Sequence, residues 1–307
     1  MMLSENWQEL MLPILRRIFD KHKKKLKDFV PVIYNVETST KALEQHMGIG
    51  SLGLMTPWDE SGRQVAYEDI HKGFLATYRH KKYSKGLEIE RELPEDDQYG
   101  EIKKRVRILT RTAYYTRQFY AASVFNNAFN VTYPGPDKVA LCSTAHPYSP
   151  TNSATFGNYG DPDSLGTALK LNADNVEKVR NAMMEWKDDK ANLLGITPDT
   201  LLVPPRLRKP AMVIADTDKE PDTSDNNVNI WHGSLDVIEW PFLTDATAWF
   251  MVDRERMKDY LNWFDRRTAK LQQDKEVFDS EVGKYKVVNR FSFGWDEPTF
   301  VWGSKTQ

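Results

Sequence analysis

Cys142 and His146 form a pair of side chains whose types and spacing could support covalent catalysis. They stand four residues apart in the segment CSTAH. A catalytic nucleophile needs its base within hydrogen-bond reach and a third group that orients the base. Here the pair sits in a stretch rich in Ser and Pro, without an evident oxyanion donor. Because a small free cysteine is commonly buried, we predict a structural role, with an enzyme using this pair as the alternative.

The sequence has no pattern typical of a metal or phosphate site. The six histidines are scattered, and neither an HExxH spacing nor a second cysteine occurs. Asp216, Asp218 and Glu220 begin like a calcium-binding loop. Pro221, however, stands where that loop requires glycine, and Asn227 where it requires a bidentate glutamate. Glycine-rich phosphate-binding motifs are absent as well. We therefore expect no metal, no cofactor and no enzymatic activity.

Basic residues could bind a polyanion at the end of an N-terminal helix. The run from His22 to Lys27 is almost entirely cationic, and cations suit the C-terminal end of a helix dipole. A solvated helix end is the favoured interpretation, and a surface facing a polyanion is the alternative. The whole chain has 42 Lys and Arg against 44 Asp and Glu, a net charge of −2. This balance does not predict a dedicated nucleic-acid binder.

Bulk composition indicates a soluble chain with a substantial core in one or two domains. It has 307 residues, of which 40% are hydrophobic and 12% aromatic. A single cysteine rules out an internal disulfide framework and fits a reducing compartment. The sequence contains neither an apolar run of about 18 residues nor a signal peptide.

The chain is predicted to be organised around a helix from Leu93 to Asn130. Pro94 favours a helix start, and acidic residues follow it where the helix dipole favours negative charge. Apolar residues recur in steps of three, four and seven at Ile102, Val106, Leu109, Ala113, Tyr120, Val124 and Ala128. Such a spine helix would be roughly 50 Å long, well beyond the usual length in a compact domain.

Two segments before the spine helix are predicted to extend from the body. Ser4–Lys27 has a helical apolar pattern, interrupted at Pro13, which should kink or split the helix. Arg63–Leu93 has strand character at both ends around the polar turn RHKKYSKG, which predicts a long hairpin. Because a lone hairpin is marginally stable in water, we expect it to lie on another subunit.

The remaining segments alternate between helical and strand-like patterns. The predicted helices are Leu165–Lys187, capped by Asn172 or Asp174 with Val176, Val179, Met183 and Trp186 buried, then Leu207–Ala215 and Met257–Lys270. The predicted strands are Leu201–Val203, Leu235–Trp240, Ala248–Val252, Tyr285–Phe293 and Thr299–Trp302, and Asp216–Asn229 is predicted to be an exposed acidic tip.

Four stretches, in their order and spacing, resemble the major capsid proteins of tailed bacteriophages. They read LPEDDQYGEIKKRV, ALCSTAHP, TPDTLLVPPRLRKPAMVIA and DVIEWPFLTDATAWFMVD. The likeness is closest to the Mu-type major head subunits and covers the chain from about Tyr67 onward. It implies an α+β, Hong Kong 97-type capsid fold. The implied parts are an N-terminal arm (1–62), an extended β-hairpin or E-loop (63–92), a peripheral domain with the spine helix on its sheet (93–166 and 280–307), and an axial domain (167–279).

The same resemblance implies a major head protein that self-assembles, as hexamers and pentamers, into an icosahedral shell enclosing phage DNA. Its place would be the virion capsid, assembled in the host cytoplasm, and scaffolding, portal or decoration proteins would be further partners. Since the arm would begin near Met1, any scaffold would be a separate protein. The alternatives are an encapsulin-like cellular nanocompartment and a minor or decoration protein of the virion.

Two sets of residues carry this implied function. Non-specific contacts with packaged double-stranded DNA are expected from Lys21, Lys23, Lys24, Lys25, Lys103, Lys104, Arg107 and Arg111. Contacts between subunits are expected from the aromatic residues Trp7, Phe74, Tyr78 and Trp231, whereas Trp186 and Trp249 are expected in the core. Lys81, Lys82 and Lys85 could supply an amine for a covalent cross-link, but no partner residue matches, and no cross-link is predicted.

Overall fold

Two four-stranded β-sheets and one long helix organise the chain. The computed structural model describes residues 7–55, 67–96, 98–218, 228–273 and 282–306, with all of their side chains except those of residues 7–10 and Glu95. Within these ranges the α-helices are α1 (Trp7–Lys23), α2 (Val30–Ile33), α3 (Glu92–Glu95), α4 (Tyr99–Asn126), α5 (Ala173–Met184), α6 (Arg208–Asp216) and α7 (Arg254–Tyr260). The strands are β1 (Asn35–Thr38), β2 (Leu43–Ile49), β3 (Lys72–Arg79), β4 (Lys81–Glu90), β5 (His146–Ser149), β6 (Asn152–Phe156), β7 (Gly160–Asp161), β8 (Ser164–Leu165), β9 (Thr200–Val203), β10 (Asp236–Glu239), β11 (Ala248–Val252), β12 (Leu261–Gln273), β13 (Val282–Trp295) and β14 (Val301–Lys305).

The two large sheets have the strand orders β1-β12-β13-β4 and β10-β9-β11-β14. Strands β1 and β10 pair in parallel with their neighbours, and the other pairs in these sheets are antiparallel. Strand β9 is buried along its whole length, because Leu202 faces one core and Leu201 and Val203 face another. A strand covered on both faces has a continuous apolar sequence. The predicted strand Leu201–Val203 is therefore confirmed.

The long helix α4 lies across the first sheet through the predicted apolar stripe. Ile102, Val106 and Leu109 are buried against Leu271 and Tyr285 of the sheet. Further along, Val124 and Phe125 enter a second core, which also contains Trp240, Trp263 and Phe291. The position of the spine helix on a sheet is confirmed.

The bounds of this helix differ from the predicted 93–130. Pro94 lies in the separate turn α3, and α4 begins at Tyr99 and ends at Asn126, which makes it 28 residues long. At about 1.5 Å per residue its length is roughly 42 Å. The helix ends at Asn126 because Asn127 caps it, and the Asn126 side chain donates a hydrogen bond to the Phe242 carbonyl oxygen.

Helix α1 corrects two predictions about the N-terminal arm. It continues through Pro13 without a break, although a proline inside a helix removes one backbone hydrogen bond. The arm is also not without a partner in its own chain, because Met11, Leu15 and Phe19 are buried against α4 and the first sheet. This burial offsets the hydrogen bond that the proline removes.

The predicted hairpin over 63–92 is wrong in its strand pairing. Strand β3 pairs with β2, and β4 pairs along its length with β13 in the first sheet. Only His80 separates β3 from β4, so the expected turn RHKKYSKG is mostly strand. Strand β4 joins the sheet because Tyr83, Leu87 and Ile89 alternate toward α4 and its cores. In the described part of the chain β2 and β3 form an antiparallel hairpin outside the two large sheets, and residues 56–66 between them lie outside that part.

The predicted helix Met257–Lys270 is also wrong over most of its length. Helix α7 ends at Tyr260, and β12 follows directly as a 13-residue strand. The first five residues of β12 are all buried, which a half-exposed helix would not allow. Pairing with both β1 and β13 overrides the local helical preference.

Several predicted elements on the other side of the molecule are confirmed. Helix α5 spans a shorter range than predicted, but the Asn172 side chain caps it by accepting a hydrogen bond from the Asn175 N–H at 2.8 Å. Its predicted stripe is buried, as are Trp186 and Trp249. Helix α6 and strands β10, β11, β13 and β14 also match predicted elements within a few residues.

Strand pairing crosses the domain boundaries implied by the resemblance. Strand β12 comes from the range predicted as axial and lies in the first sheet with β4 and β13, whereas β14 comes from the peripheral return and lies in the second sheet. Of the predicted acidic tip, residues 219–227 lie outside the described part, and Asn229 is buried and donates to the Ile214 carbonyl oxygen at 2.7 Å. Among the described helices, none has the length and apolarity needed to cross a membrane.

Candidate assembly surfaces and basic groove

The residues predicted to contact other subunits do not form a common surface. Tyr78 and Trp231 are each only 5% exposed and belong to separate cores within their own chain. Phe74 is half-buried, and the side chain of Trp7 lies outside the described part. The prediction of Tyr78 and Trp231 as surface anchors is wrong. Sequence alone does not distinguish an aromatic ring that is buried in the core of its own chain from one that is buried between chains.

Tyr78 instead fastens the base of the β2–β3 hairpin to the body. Its hydroxyl donates to the Asp296 carboxylate, which also contacts His46 Nδ1 at 2.9 Å and accepts from the Asn262 amide at 2.8 Å. Burial, and then the Asp296 charge, raise the pKa of Tyr78, so the hydroxyl remains a donor. Tyr78 also packs on Phe264. The base of the hairpin is rigidly held.

The far end of the hairpin exposes large apolar side chains. Leu54 is 83% exposed, Met55 99% and Tyr67 92%. Five more apolar residues of the hairpin are more than two-fifths exposed, namely Met47, Ile49, Leu52, Ile70 and Leu75. A concentration of exposed apolar side chains marks an interaction site. The sequence carries a signal for it, since Leu52, Leu54 and Met55 interrupt a glycine-rich loop, although the glycines by themselves indicate only a hinge.

Polar contacts hold part of this far end beside the turn that follows α5. The Ser51 N–H donates to Asp189 Oδ1 at 3.1 Å, and Lys190 Nζ lies 3.7 Å from Glu68 Oε2. Gly53 N–H also donates to Glu68. These contacts use the backbone and the charged groups, so they orient the hairpin without covering its apolar side chains.

A hollow of about 690 Å³ lies between α4 and the edge of the first sheet. Leu109, Thr112 and Ala113 of α4 form one wall, and Tyr115 and Phe119, both more than half exposed, stand at its opening. The opposite wall is formed by Lys82 to Lys85 of β4 with Val287 and Asn289 of β13. Strand β4 ends the sheet, so its outer backbone edge is unpaired by any described strand.

The two predicted groups of basic residues meet in one groove between α1 and α4. Its volume is about 510 Å³, and its lining residues are Ile18, Lys21, His22, Lys25, Lys103, Arg107 and Arg111. Five of the eight residues predicted to face DNA are among them. Of the other three, Lys23 contacts the Ala269 carbonyl oxygen and Lys104 pairs with Glu101, while Lys24 is exposed.

This groove is positively charged throughout. Among the described side chains, no carboxylate forms a salt bridge with Lys21, Lys25, Lys103, Arg107 or Arg111, whereas Arg105 and Arg117 on the same helix are paired. His22 is not among the residues that the sequence predicts to face DNA, although its four-residue spacing to Ile18 places both on the same side of α1.

His22 is the titratable member of the groove. Its Nε2 is buried and has no hydrogen-bond partner in the described part of the chain. Burial lowers the pKa of His22, and the positive charges of Arg111, Arg107 and Lys25 lower it further. Burial and the neighbouring cations therefore both favour the neutral form of the ring.

Cys142 and His146 both have packing roles. The Cys142 thiol is buried, which raises its pKa and disfavours the reactive thiolate. His146 is fully buried, with Nδ1 2.6 Å from Asp137 and Nε2 3.1 Å from Asn158. Both ring nitrogens thus contact groups other than the thiol. The structural role predicted for this pair is consistent with that geometry.

The fold is that of tailed-phage capsid proteins of the Hong Kong 97 type. The structure resembles the capsid protein of bacteriophage JBD30 with a TM-score of 0.56 and 16% identity, covering 71% of this chain and 92% of that one. It also resembles proteins from Microbacterium phage Oxtober96, at a TM-score of 0.53 with 13% identity over 91% and 90% of the two chains, and from the capsid of cyanophage P-SCSP1u, at 0.54 with 13% identity over 92% and 90%. At such identities these likenesses establish the fold alone.

Residues 75–303 match the family described as phage capsid protein. Because this match spans about three-quarters of the sequence, the chain belongs to that family. Family and fold together identify a capsid shell protein of a tailed phage. A comparison with curated proteins finds no match. The narrower likeness to Mu-type head subunits stays a prediction.

Proposed function

We propose that copies of this protein close the phage shell by laying the far end of each β2–β3 hairpin on a neighbouring copy. The observation that carries this proposal is the near-complete exposure of Leu54, Met55 and Tyr67 on a hairpin whose base is fixed. Burying one large apolar side chain contributes about 1.5–3 kcal/mol. A single folded chain gains no stability from leaving eight such side chains in water, whereas an assembled shell is stabilised wherever a neighbouring copy covers them.

The hollow beside α4 is the receiving surface that we propose. It has apolar walls and the exposed rings of Tyr115 and Phe119, and Lys82 and Lys85 line its opposite wall. The hairpin brings Glu68 and Asp69 next to Tyr67 and Ile70, so apolar and acidic groups would meet apolar and basic ones. Complementary charge fixes the register of an interface more than it adds affinity.

In this arrangement the body built on the two sheets is the rigid tile. The peripheral and axial domains implied by the resemblance would correspond to the first and second sheets, with β12 assigned to the former and β14 to the latter. Hexamers, pentamers and host-cytoplasmic assembly belong to this proposal, and packaged DNA would face the basic groove. The similar capsid of bacteriophage JBD30 is decorated with minor capsid protein trimers, and we propose that accessory proteins can bind here also.

Removing the two most exposed aliphatic side chains tests the docking of the hairpin. Leu54→Ser combined with Met55→Ser should leave the melting temperature unchanged, because both side chains are already in water. A loss of about 3 kcal/mol at each docked hairpin would weaken association by about 100-fold. Particles counted by electron microscopy and sedimentation should nearly disappear. Val131→Ser, at a residue also 81% exposed but after α4, is the control and should assemble normally.

A charge exchange tests the receiving surface. Asp69→Lys and Lys85→Glu should each reduce the yield of particles, because each places like charges at the contact. The double variant should restore the yield. If Leu54→Ser/Met55→Ser assembles normally, the hairpin does not dock. If Leu54→Ser/Met55→Ser prevents assembly but the double variant Asp69→Lys/Lys85→Glu does not restore the yield, the hairpin docks at some other surface.

A further inference from the structure

Five cations and one histidine face each other across the α1–α4 groove without a described anionic partner. Lys103, Arg107 and Arg111 follow one another at four-residue spacing, so they line about 12 Å of α4. Lys21 lies in the last turn of α1 and Lys25 in the turn that follows it. Like charges this close repel one another in the folded chain. An extended anion seated between the helices would relieve that repulsion.

The side chains favour phosphate groups as the anion. The planar guanidinium groups of Arg107 and Arg111 can each donate two parallel hydrogen bonds to a phosphate. The groove is long, open and lined by distributed charges, which suits a polymer better than a single ion. Each strand of double-stranded DNA has one charge per about 3.4 Å of axis, so the 12 Å run faces about three or four phosphates of one strand.

His22 gives this site a dependence on pH. His22 lines the groove together with Lys21 of its own helix, Lys25 just after that helix, and Lys103, Arg107 and Arg111 of α4, and its Nε2 has no hydrogen-bond partner in the described part of the chain. A phosphate in the groove would offset the positive charges that, together with burial, favour the neutral ring. Binding would then draw one proton from solvent onto the imidazole.

We propose that the α1–α4 groove binds the phosphate backbone of nucleic acid and that His22 takes up a proton when it does. This inference rests on the proposed function only in assuming that the groove meets nucleic acid inside the shell. Its consequence is that the affinity of the shell for nucleic acid at low pH exceeds the affinity expected from the five permanent charges alone. The contact would carry no base specificity, since phosphates carry no sequence information.

The experiment measures binding of a fluorescent DNA duplex of about 20 base pairs to the unassembled full-length chain, at constant ionic strength, from about pH 8 to about pH 5.5. The affinity of the natural chain should rise by up to about 10-fold per pH unit where His22 titrates. His22→Gln should flatten that rise, because glutamine cannot take up a proton in this pH range. His232→Gln, at a half-exposed histidine beside Asp218, is the matched control and should keep the rise.

A second pair of variants tests the location. Arg107→Gln with Arg111→Gln should weaken binding and reduce the slope of log K against log salt by about 0.9 for each phosphate that is no longer neutralised. Lys24→Gln with Lys104→Gln, which removes two charges beside the groove, should have the smaller effect. Polyglutamate of equal length should compete poorly. Equal competition would overturn the phosphate assignment, and an unchanged pH profile in His22→Gln would overturn the role of the histidine.

These outcomes are separable from those for the shell. His22→Gln and the double arginine variant leave the hairpin and the hollow untouched, so they should still form particles. If they do so and bind DNA normally, the groove proposal fails and the shell proposal stands. If the hairpin variants assemble normally while His22→Gln and the double arginine variant bind DNA less well, the shell proposal fails and the groove proposal stands.

Discussion

Replacing Arg117 should destabilise the chain more than replacing any cation of the basic groove. The Arg117 guanidinium donates to Asp265 at 2.7 Å and to Asp28 at 3.2 Å, and it lies 4.6 Å from the Trp263 ring centroid. The side chain of Asp265 is 7% exposed and that of Arg117 18%. This single residue therefore ties α4 to the first sheet and to the segment just before α2.

The expected loss follows from what Arg117→Met leaves behind. Removing one partner of a buried ion pair costs about 3–5 kcal/mol. Asp265 would keep the hydrogen bond from the Trp263 indole at 2.8 Å, and the pair is not fully buried, so the loss should be near the lower end, about 3 kcal/mol. For a chain of this length that lowers the melting temperature by about 5 °C.

The assay is thermal unfolding of the natural and variant chains in the same state of assembly. Arg111→Met is the matched control, because Arg111 lies on the same helix without a described ion pair, and its free energy of unfolding should stay within about 0.5 kcal/mol. Asp265→Asn alone should cost less than Arg117→Met, since Arg117 keeps Asp28. The double variant should reveal a coupling of about 1–3 kcal/mol. Equal melting temperatures for Arg117→Met and Arg111→Met would refute the reasoning.

Three further changes test packing, capping and charge. Gly303→Ala should lower the free energy of unfolding in denaturant by about 1–3 kcal/mol, because the added Cβ would lie 2.6 Å from Cys142 Sγ. If adding Cys142→Ala to this variant does not reduce the loss, the explanation is wrong. Asn172→Ala should cost about 1 kcal/mol by removing the cap of α5, and Asn172→Asp should not. The pKa of His22 is lower in the folded chain than its ordinary 6.5, so the unfolded chain binds the proton more readily. Stability should fall as the pH drops through 6.5, and His22→Gln should show a shallower fall.

Periodicity within the sequence is enough to predict the elements whose environment is set locally. The stripe on α4, the cap at Asn172 and the run Leu201–Val203 are all recognisable because the side chains of one helix face or one buried strand repeat at a fixed spacing. The order of short motifs is enough to suggest the family. The basic character of both groove walls is also visible, since charge is a property of the residues alone.

Pairing between distant segments was decided only by the tertiary structure. The residues after Tyr260 could form a helix until β1 and β13 flank them, and β4 could turn back on β3 until β13 accepts it. A strand is stabilised by neighbours far away in sequence, whose identity no local pattern specifies.

The candidate sites divide in the same way. Amino-acid type alone indicated that Lys21–Lys25 and Lys103–Arg111 are cationic, but only the packing of α1 on α4 made them one groove and placed His22 within it. Amino-acid type alone could not separate Tyr78, which the fold buries, from Tyr67, which it leaves in water. Composition and spacing determine what a residue can do, and burial by distant parts of the chain decides whether it is free to do it.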